Sequence, residues 1–270
     1  MSTLENVVTE IEQGEVSFPT HADVAFRVRL ALDDPDIPLG KAAQVIVAEP
    51  LLAARVVAVA NSVAFNRSGI PVADVRGAVA RLGLKFVRGL ATAVVMRQMA
   101  GSIRSPAYQS LAVRLWEHTV HVAALSHLLA ARFGMAPDVA MFAGIVHEVS
   151  GFYLISRTDT RNDLFSDGTL LTADAERRVG GAVLAALAVP KEVVDAIETL
   201  WEEGPLRFPP RNLGDLLRLA NQLTPIRSPL QAPVTDGMEL AIDPEGEAQL
   251  TEILERSSDE LEALTAALRY

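Results

Sequence analysis

The stretch MFAGIVHEVSGFYLISR, residues Met141–Arg157, decides the fold class because it is mostly apolar over a helical length, with His147 and Glu148 side by side near its middle. A helix that is apolar on all sides is typical of the buried centre of a helical protein. Imidazole and carboxylate groups are also the ligands with which several hydrolases hold a divalent metal ion. The pair therefore raises the question of whether the chain carries a metal site.

The rest of the chain also favours helices. Its 270 residues are 50% hydrophobic but only 5% aromatic, with Ala, Val and Leu dominant, which favours closely packed helices over a β-sandwich. Helix-start signals open the apolar runs after Pro50, Pro137, Pro190 and Asp243-Pro244. No segment has a strand pattern that competes with these signals. The sequence therefore predicts an all-α protein.

The loop at residues 101–106 is the best internal boundary. About five short predicted helices precede this loop, and one long helix over Ala107–Phe133 follows it. The chain shows no internal repeat and no low-complexity tract. We therefore predict a two-lobed helical bundle, with an N-terminal lobe over residues 1–103 and a second lobe over residues 104–270 that share an interface.

Composition excludes several classes of protein. The absence of cysteine excludes disulfides, thiolate metal sites and cysteine nucleophiles. A net charge of −10 disfavours nucleic acid as a partner, and the most basic segment, Arg81–Gly89, has the charge spacing of a solvated helix face. No window approaches 18 uninterrupted apolar residues, and the N-terminal segment lacks a secretory signal pattern. We expect a cytoplasmic protein without a membrane or nucleic-acid partner.

Four of the five histidines lie between residues 118 and 147. At about 100° per residue, His118 and His121 lie about 60° apart on one helix face, whereas His127 points about 180° away from His118. If the next helix runs antiparallel, His147 and Glu148 can approach the first two histidines. Such a group would suit a divalent metal and an activated water. The alternative is that each histidine is satisfied by a backbone carbonyl or a water within the packed helices.

Five stretches resemble, in order, the HDOD domain, an output domain of bacterial signalling proteins derived from the HD-type metal phosphohydrolases. The resemblance covers about residues 17–224 and implies a lobe of short helices packed on an HD-like helical lobe. The matching stretches are FPTHADVAFRV, VIVAEPLLAARVVAVANSVAFN, AVARLGLKFVRGL, LWEHTVHVAALSHLLA and MFAGIVHEVSGFYL.

The same resemblance carries the metal ligands of the parent superfamily onto this chain. The first histidine ligand falls on His118, and the His-Asp pair that names the superfamily falls on His147 and Glu148, where a glutamate replaces the aspartate. The remaining ligand positions have changed further. They are Glu176 in place of a histidine, Leu200 and Trp201 in place of paired histidines, and Asn221 in place of the closing aspartate.

These replacements predict that the metal site is lost. Asn221 offers a hard cation only an amide dipole, and Leu200 and Trp201 offer no inner-sphere ligand. We therefore expect no bound metal and no cofactor, with the indole of Trp201 filling the former cavity or simply covering the edge of the core. The predicted vestigial site comprises His118, His147, Glu148, Glu176, Trp201 and Asn221. The alternative is an altered metal site with two histidine and two glutamate ligands.

The resemblance implies a non-catalytic signalling or scaffold module that acts by binding an unknown signalling protein. The alternative is a residual metal-dependent phosphohydrolase that acts on a nucleotide or another phosphoester. A small nucleotide in the vestigial cavity is a third reading, but no Gly-rich phosphate loop or basic cluster favours it. A C-terminal extension over residues 245–270 has apolar residues at helical spacing, which predicts a cap on the domain's own core or a homodimer seam.

Overall fold

A computed structural model describes residues 3–13, 16, 23–34, 36–101, 103–158, 173–202, 206–230 and 242–269. These residues form fourteen α-helices and no strand, so the all-α prediction is confirmed. The first five residues of the stretch FPTHADVAFRV lie outside the described residues. The helices are α1 (Thr3–Glu12), α2 (Asp23–Ala31), α3 (Leu39–Val47), α4 (Pro50–Ala60), α5 (Val75–Leu82), α6 (Leu84–Gly101), α7 (Pro106–Arg132), α8 (Pro137–Val146), α9 (Val149–Ser156), α10 (Ala173–Ala186), α11 (Lys191–Trp201), α12 (Leu213–Leu223), α13 (Pro244–Arg256) and α14 (Ser258–Arg269).

The predicted helix starts agree with the structure because each depends on local chemistry. Pro50 and Pro137 occupy the first turns of α4 and α8, where the missing N–H of proline costs no hydrogen bond. The side chain of Asp243 caps α13 by accepting a hydrogen bond of 2.7 Å from the backbone N–H of Gly246. The long helix α7 begins and ends within one residue of its predicted bounds.

The apolar stretch that opened the sequence analysis forms two helices instead of one. α8 ends at Val146 and α9 begins at Val149, so His147 and Glu148 lie in a break between them. Adjacent residues in a regular helix point about 100° apart. The backbone at Glu148 has φ −99° and ψ 21°, and this departure from helical geometry lets both side chains reach the same point.

Helices α7 and α8 form the centre of the molecule and cross very closely. A Cβ atom placed on Gly144 would lie 2.5 Å from the Cα and 2.9 Å from the N of Ala123. The absence of a side chain at Gly144 therefore sets the distance between the two helix backbones. α6 packs against α8 and α9, so one continuous apolar core joins both predicted lobes.

The last helix, α14, packs against α7 and α4 and buries Leu264 and Leu268. The end of this helix is held by polar contacts from both partners. Arg55 of α4 donates a hydrogen bond of 2.6 Å to the carbonyl oxygen of Leu268. The indole N–H of Trp116 on α7 donates one of 3.1 Å to the carbonyl oxygen of Arg269. α14 thus joins an early helix to the central one.

One segment among the described residues, Pro137–Ser156, has the length and apolar composition of a membrane span. It comprises α8 and α9, and 83% of the 18-residue window within it is buried inside the fold. This is the burial expected of central core helices.

Candidate functional site

The candidate site is a buried cluster of three side chains, one from α7 and two from the break between α8 and α9. His118 Nε2 lies 3.1 Å from His147 Nε2. The Oε1 atom of Glu148 lies 3.6 Å from the first of these nitrogens and 4.0 Å from the second. The three residues are only 1–2% exposed. The predicted approach of His147 and Glu148 to His118 is therefore present.

The hydrogen bonds made by the outer nitrogens determine which atoms face the cluster. His118 Nδ1 lies 2.7 Å from the carbonyl oxygen of Ile226, and His147 Nδ1 lies 2.7 Å from that of Gly144. A carbonyl oxygen only accepts, so each Nδ1 carries the hydrogen and donates. In the neutral rings both Nε2 atoms then present lone pairs.

The third member of the cluster is also an acceptor. Glu148 Oε1 is buried and has no hydrogen-bond partner among the described residues. Burial, together with the neighbouring His118, lowers the pKa of His147 to about 3, so this ring is neutral at neutral pH. When both rings are neutral, three acceptor atoms face one another, and a proton shared between the two Nε2 atoms or a metal ion between all three would stabilise the arrangement.

The cluster fits a metal ion in its ligand types and its dimensions. The three measured separations put the point equidistant from the three atoms about 2.1 Å from each, which is the length of a Zn–N or Zn–O bond. Each histidine also donates its other N–H to a carbonyl, as metal-bound histidines usually do. His118, His147 and Glu148 could therefore hold a divalent ion.

Glu176 and Trp201 lie beside this cluster without joining it. Burial, with a further contribution from the charge of Glu148, raises the pKa of Glu176 to about 8, although the Trp201 side chain opposes this. Glu176 is therefore protonated at neutral pH. Trp201 is 7% exposed, and its indole lies so close to Gly180 that a Cβ there would be 2.8 Å from the ring. This contact suits both interpretations of Trp201, as a filling of the former cavity and as a cover over the edge of the core, so both stay predictions.

The other predicted positions contribute differently. Asn221 lies on α12 with a buried Oδ1 that has no hydrogen-bond partner among the described residues, and Leu200 is half-buried on α11. His121 does not join His118, because its Nδ1 donates a bond of 2.7 Å to the carbonyl oxygen of Glu117 on its own helix. The expectation that both histidines face the next helix holds for His118 alone.

His127 points away from the cluster, as the helical spacing predicts. It is buried between the lobes, with its ring centroid 5.5 Å from that of Phe65 and 6.2 Å from that of Phe86. Burial lowers the pKa of His127. The residue is therefore part of the packing and not of the candidate site.

Sequence reasoning missed the residues that close the site from the segment after α12. Ile226 supplies the carbonyl for His118, and Leu230 lies against Gly151 beside Glu148. A Cβ on Gly151 would clash with Leu230, would lie 3.0 Å from Leu115 and would lie 3.5 Å from Glu148 Oε2. No spacing pattern could reveal these contacts, because residues 226–230 follow a helix end and belong to no periodic element.

A family model for the HDOD domain matches residues 18–202 of the chain. The chain belongs to the HDOD family. The resemblance drawn from the five sequence stretches is confirmed, although the family model ends before the predicted limit at residue 224. No protein of curated function matches the chain.

Solved structures of similar fold come from several bacteria. A proposed metal-dependent phosphohydrolase from Shewanella amazonensis is 21% identical, with a TM-score of 0.63, and the match covers 98% of this chain and 96% of that one. An HDOD domain protein of unknown function from Geobacter sulfurreducens is 22% identical, with a TM-score of 0.66 and 97% of each chain covered. A proposed signal transduction protein from Marinobacter aquaeolei is 20% identical, with a TM-score of 0.56 and coverage of 100% of this chain and 62% of that one. At identities of 20–22%, the structural similarity establishes that these proteins share a fold with this chain.

Proposed function

We propose that this HDOD protein is a non-catalytic bacterial signalling or scaffold module that works in the cytoplasm by binding a signalling protein. The observation that carries the proposal is the enclosure of the histidine-glutamate cluster. Its three residues are almost fully buried, Leu230 lies over Gly151 beside Glu148, and Trp201 lies against Gly180. A hydrolase needs an open cleft in which a phosphoester can reach its metal-bound water.

The ligand set supports the same proposal. By the resemblance, Asn221 takes the place of the superfamily's closing aspartate, and Trp201 that of one of its paired histidines. Glu176 is protonated at neutral pH and so is a poor ligand in that state. Signalling as the biological setting is supported by the structural likeness to the Marinobacter protein, which is itself a proposed signal transduction protein.

The second candidate is a residual metal-dependent phosphohydrolase, and one observation favours it. His118, His147 and Glu148 present three acceptor atoms at distances that suit a divalent ion. Such an ion would lower the pKa of a bound water and make it a nucleophile. A metal that only stabilises the buried cluster would satisfy the same atoms without catalysis.

Elemental analysis and a phosphoesterase assay separate these candidates. The purified protein is analysed for Mn, Fe and Zn, and hydrolysis of bis(p-nitrophenyl) phosphate is measured with and without added Mn²⁺. We expect the same background rate for the wild type, for the double variant His118→Gln/His147→Gln and for the control His121→Gln, which lies outside the cluster. Hydrolysis that is lost only in the double variant would establish the phosphohydrolase and overturn the non-catalytic proposal.

Partner binding is tested by cross-linking and affinity purification from the native host. We expect one protein to be captured in near-stoichiometric amount by the wild type and equally by Glu148→Gln, because the buried cluster cannot reach a partner directly. Capture of no protein above the level of an unrelated helical bait would contradict the interaction role.

A further inference from the structure

A cavity separate from the histidine-glutamate cluster lies where the two predicted lobes meet. It has a volume of about 220 Å³, and its walls come from α2, α6, α8, α11 and the turns beside α2 and α11. None of His118, His147 and Glu148 lines it. With about 30 Å³ for each water in the liquid, it holds about seven water volumes. This is room for a small organic molecule.

Cationic side chains surround part of this cavity. Arg29 is 2% exposed, forms an ion pair with Asp33, and donates a hydrogen bond of 3.2 Å to the carbonyl oxygen of Ala188. Its Nε is buried and has no hydrogen-bond partner among the described residues. Asp33 also lies 3.8 Å from Arg88, so one carboxylate serves two guanidinium groups. Lys85 adds a third cation at the rim.

Two helices direct their N-terminal turns at the same cavity. Asp138 and Val139 lie in the first turn of α8, and Pro190 and Glu192 lie at the start of α11. The N-cap residues Ala136 and Pro190 make no side-chain hydrogen bond to either helix. The first N–H groups of a helix lack partners within it, and the helix dipole favours an anion there.

The remaining walls limit what can bind. The lining holds three acids, Asp33, Asp138 and Glu192, which formally balance the three cations. Asp33 is already paired with Arg29 and Arg88, and Glu192 is exposed and screened by solvent. The groups left for an anion are therefore the buried Nε of Arg29, the exposed Lys85 and the free N–H groups of the two helix starts. Val139, Phe142 and Val193 supply an apolar wall. The combination favours an anionic group attached to a compact apolar body.

We propose that this cavity binds a small organic anion, a phosphate or carboxylate on a compact apolar group, through Arg29, Lys85 and the N-terminal turns of α8 and α11. The bound anion would complete the hydrogen bonding of the Arg29 guanidinium. It would also touch helices of both lobes, so its binding would hold them together. This site goes beyond the proposed function, because it requires neither the metal nor the protein partner.

Calorimetric titration with phenyl phosphate at low ionic strength and pH 7.5 tests the site. We expect saturable binding of one equivalent with a Kd of millimolar or tighter, and at least tenfold weaker binding by Lys85→Gln. Arg76→Gln is the matched control, because Arg76 is exposed on α5 and does not line the cavity. Val139→Phe, which fills the cavity without changing its charge, should also weaken binding at least tenfold while thermal unfolding shows it folded.

Inorganic phosphate and benzyl alcohol separate the two parts of the ligand. Each should bind at least tenfold more weakly than phenyl phosphate, because each offers only one half of the proposed contacts. The proposal is overturned if phenyl phosphate does not bind, if Lys85→Gln binds as the control does, or if either half-ligand matches phenyl phosphate. Equal binding by Val139→Phe would place the anion on the surface and overturn it as well.

Discussion

Two histidine nitrogens and one carboxylate oxygen face one another at the centre of this HDOD protein. Their separations are 3.1, 3.6 and 4.0 Å, and the outer nitrogens already donate to the carbonyls of Ile226 and Gly144. Buried acceptors without a donor are costly, by about 1–3 kcal/mol for each unsatisfied group. A single substitution in this cluster should therefore change whether a proton or a metal ion can bind there.

Glu148→Gln puts a hydrogen-bond donor into this set of acceptors. In metal-free protein at pH 8.5, the amide should donate to a histidine nitrogen, and we expect a gain of about 1 kcal/mol in the free energy of unfolding. Urea denaturation in the presence of EDTA measures it. A loss of stability under these conditions would show that a retained proton or cation already bridges the three atoms.

Glu176 makes stability depend on pH in a predictable direction. Its pKa is raised from 4.5 to about 8 in the folded protein, mainly by burial, so the folded state keeps a proton that the unfolded state releases. Its stabilising contribution is complete below pH 4.5 and is lost as pH rises from 4.5 towards 8. We expect the free energy of unfolding of Glu176→Gln to rise relative to that of the wild type by about 1–2 kcal/mol as the pH increases from 5 to 8. This value is smaller than the full pKa shift would give, because Glu176 is partly exposed.

Urea denaturation of metal-free protein at pH 5, 6, 7 and 8 measures this difference. Glu262→Gln is the control, since Glu262 is exposed on α14. A difference between Glu176→Gln and the wild type that stays constant with pH would contradict the raised pKa.

The sequence could predict the site residues that a motif places along the chain, but not the properties that depend on the folded structure. The family pattern identified His118, His147 and Glu148, because the motif positions are fixed along the chain. The pattern could not provide the charge state of Glu176, which depends on its burial in the fold. Nor could it place Ile226 or Leu230, which reach the site only through the path of the chain after α12.

The sequence predicted some helix boundaries but not others. Long helices with proline starts were predictable, and α7 agrees within a residue at each end. The break between α8 and α9 was not, because apolar periodicity continues across His147 and Glu148. Periodicity reports which residues are buried, whereas a local change of backbone angle depends on the packing of α8 against α7.

The crossing of α7 and α8 should be sensitive to one methyl group. Gly144→Ala would place its Cβ 2.5 Å from a backbone atom of Ala123, and a backbone cannot move aside as a side chain can. We expect a loss of about 3 kcal/mol or more in the free energy of unfolding. Gly181→Ala is the matched control, because Gly181 is inside α10 with no atom within 4 Å of the added Cβ. This control should gain about 0.5–1 kcal/mol from helix propensity.

Denaturant unfolding of the two alanine variants measures the contrast. Equal stability of the two variants would mean that the α7–α8 crossing is looser than the structure shows.

The molecule as a whole is held together by contacts that run between the predicted lobes. α6 packs on α8 and α9, and α14 returns to pack on α4 and α7. The continuous core explains why composition, together with the helix-start signals, predicted the fold class, since abundant small apolar residues suit closely packed helices. The boundary between residues 103 and 104 stays a prediction, and the shared core implies that the two parts unfold together.

A substitution at Leu268 tests whether α14 joins the two predicted lobes into one unit. It is 2% exposed, and its carbonyl oxygen accepts the hydrogen bond of Arg55, a residue of the N-terminal lobe. We expect Leu268→Ala to lower the free energy of unfolding by about 3 kcal/mol, because it leaves a cavity between α14 and the core. Leu261→Ala, at a partly buried position of the same helix, should cost about 1 kcal/mol.

Calorimetry and circular dichroism should show a single transition for the wild type and for both α14 variants, with a lower Tm for Leu268→Ala. Two separated transitions in Leu268→Ala would show that α14 couples two units that otherwise unfold independently. An unchanged Tm for Leu268→Ala would show instead that α14 adds no stability to the core. Either result would contradict the role assigned to this helix, because a helix that closes one shared core must weaken both lobes together when its central contact is removed.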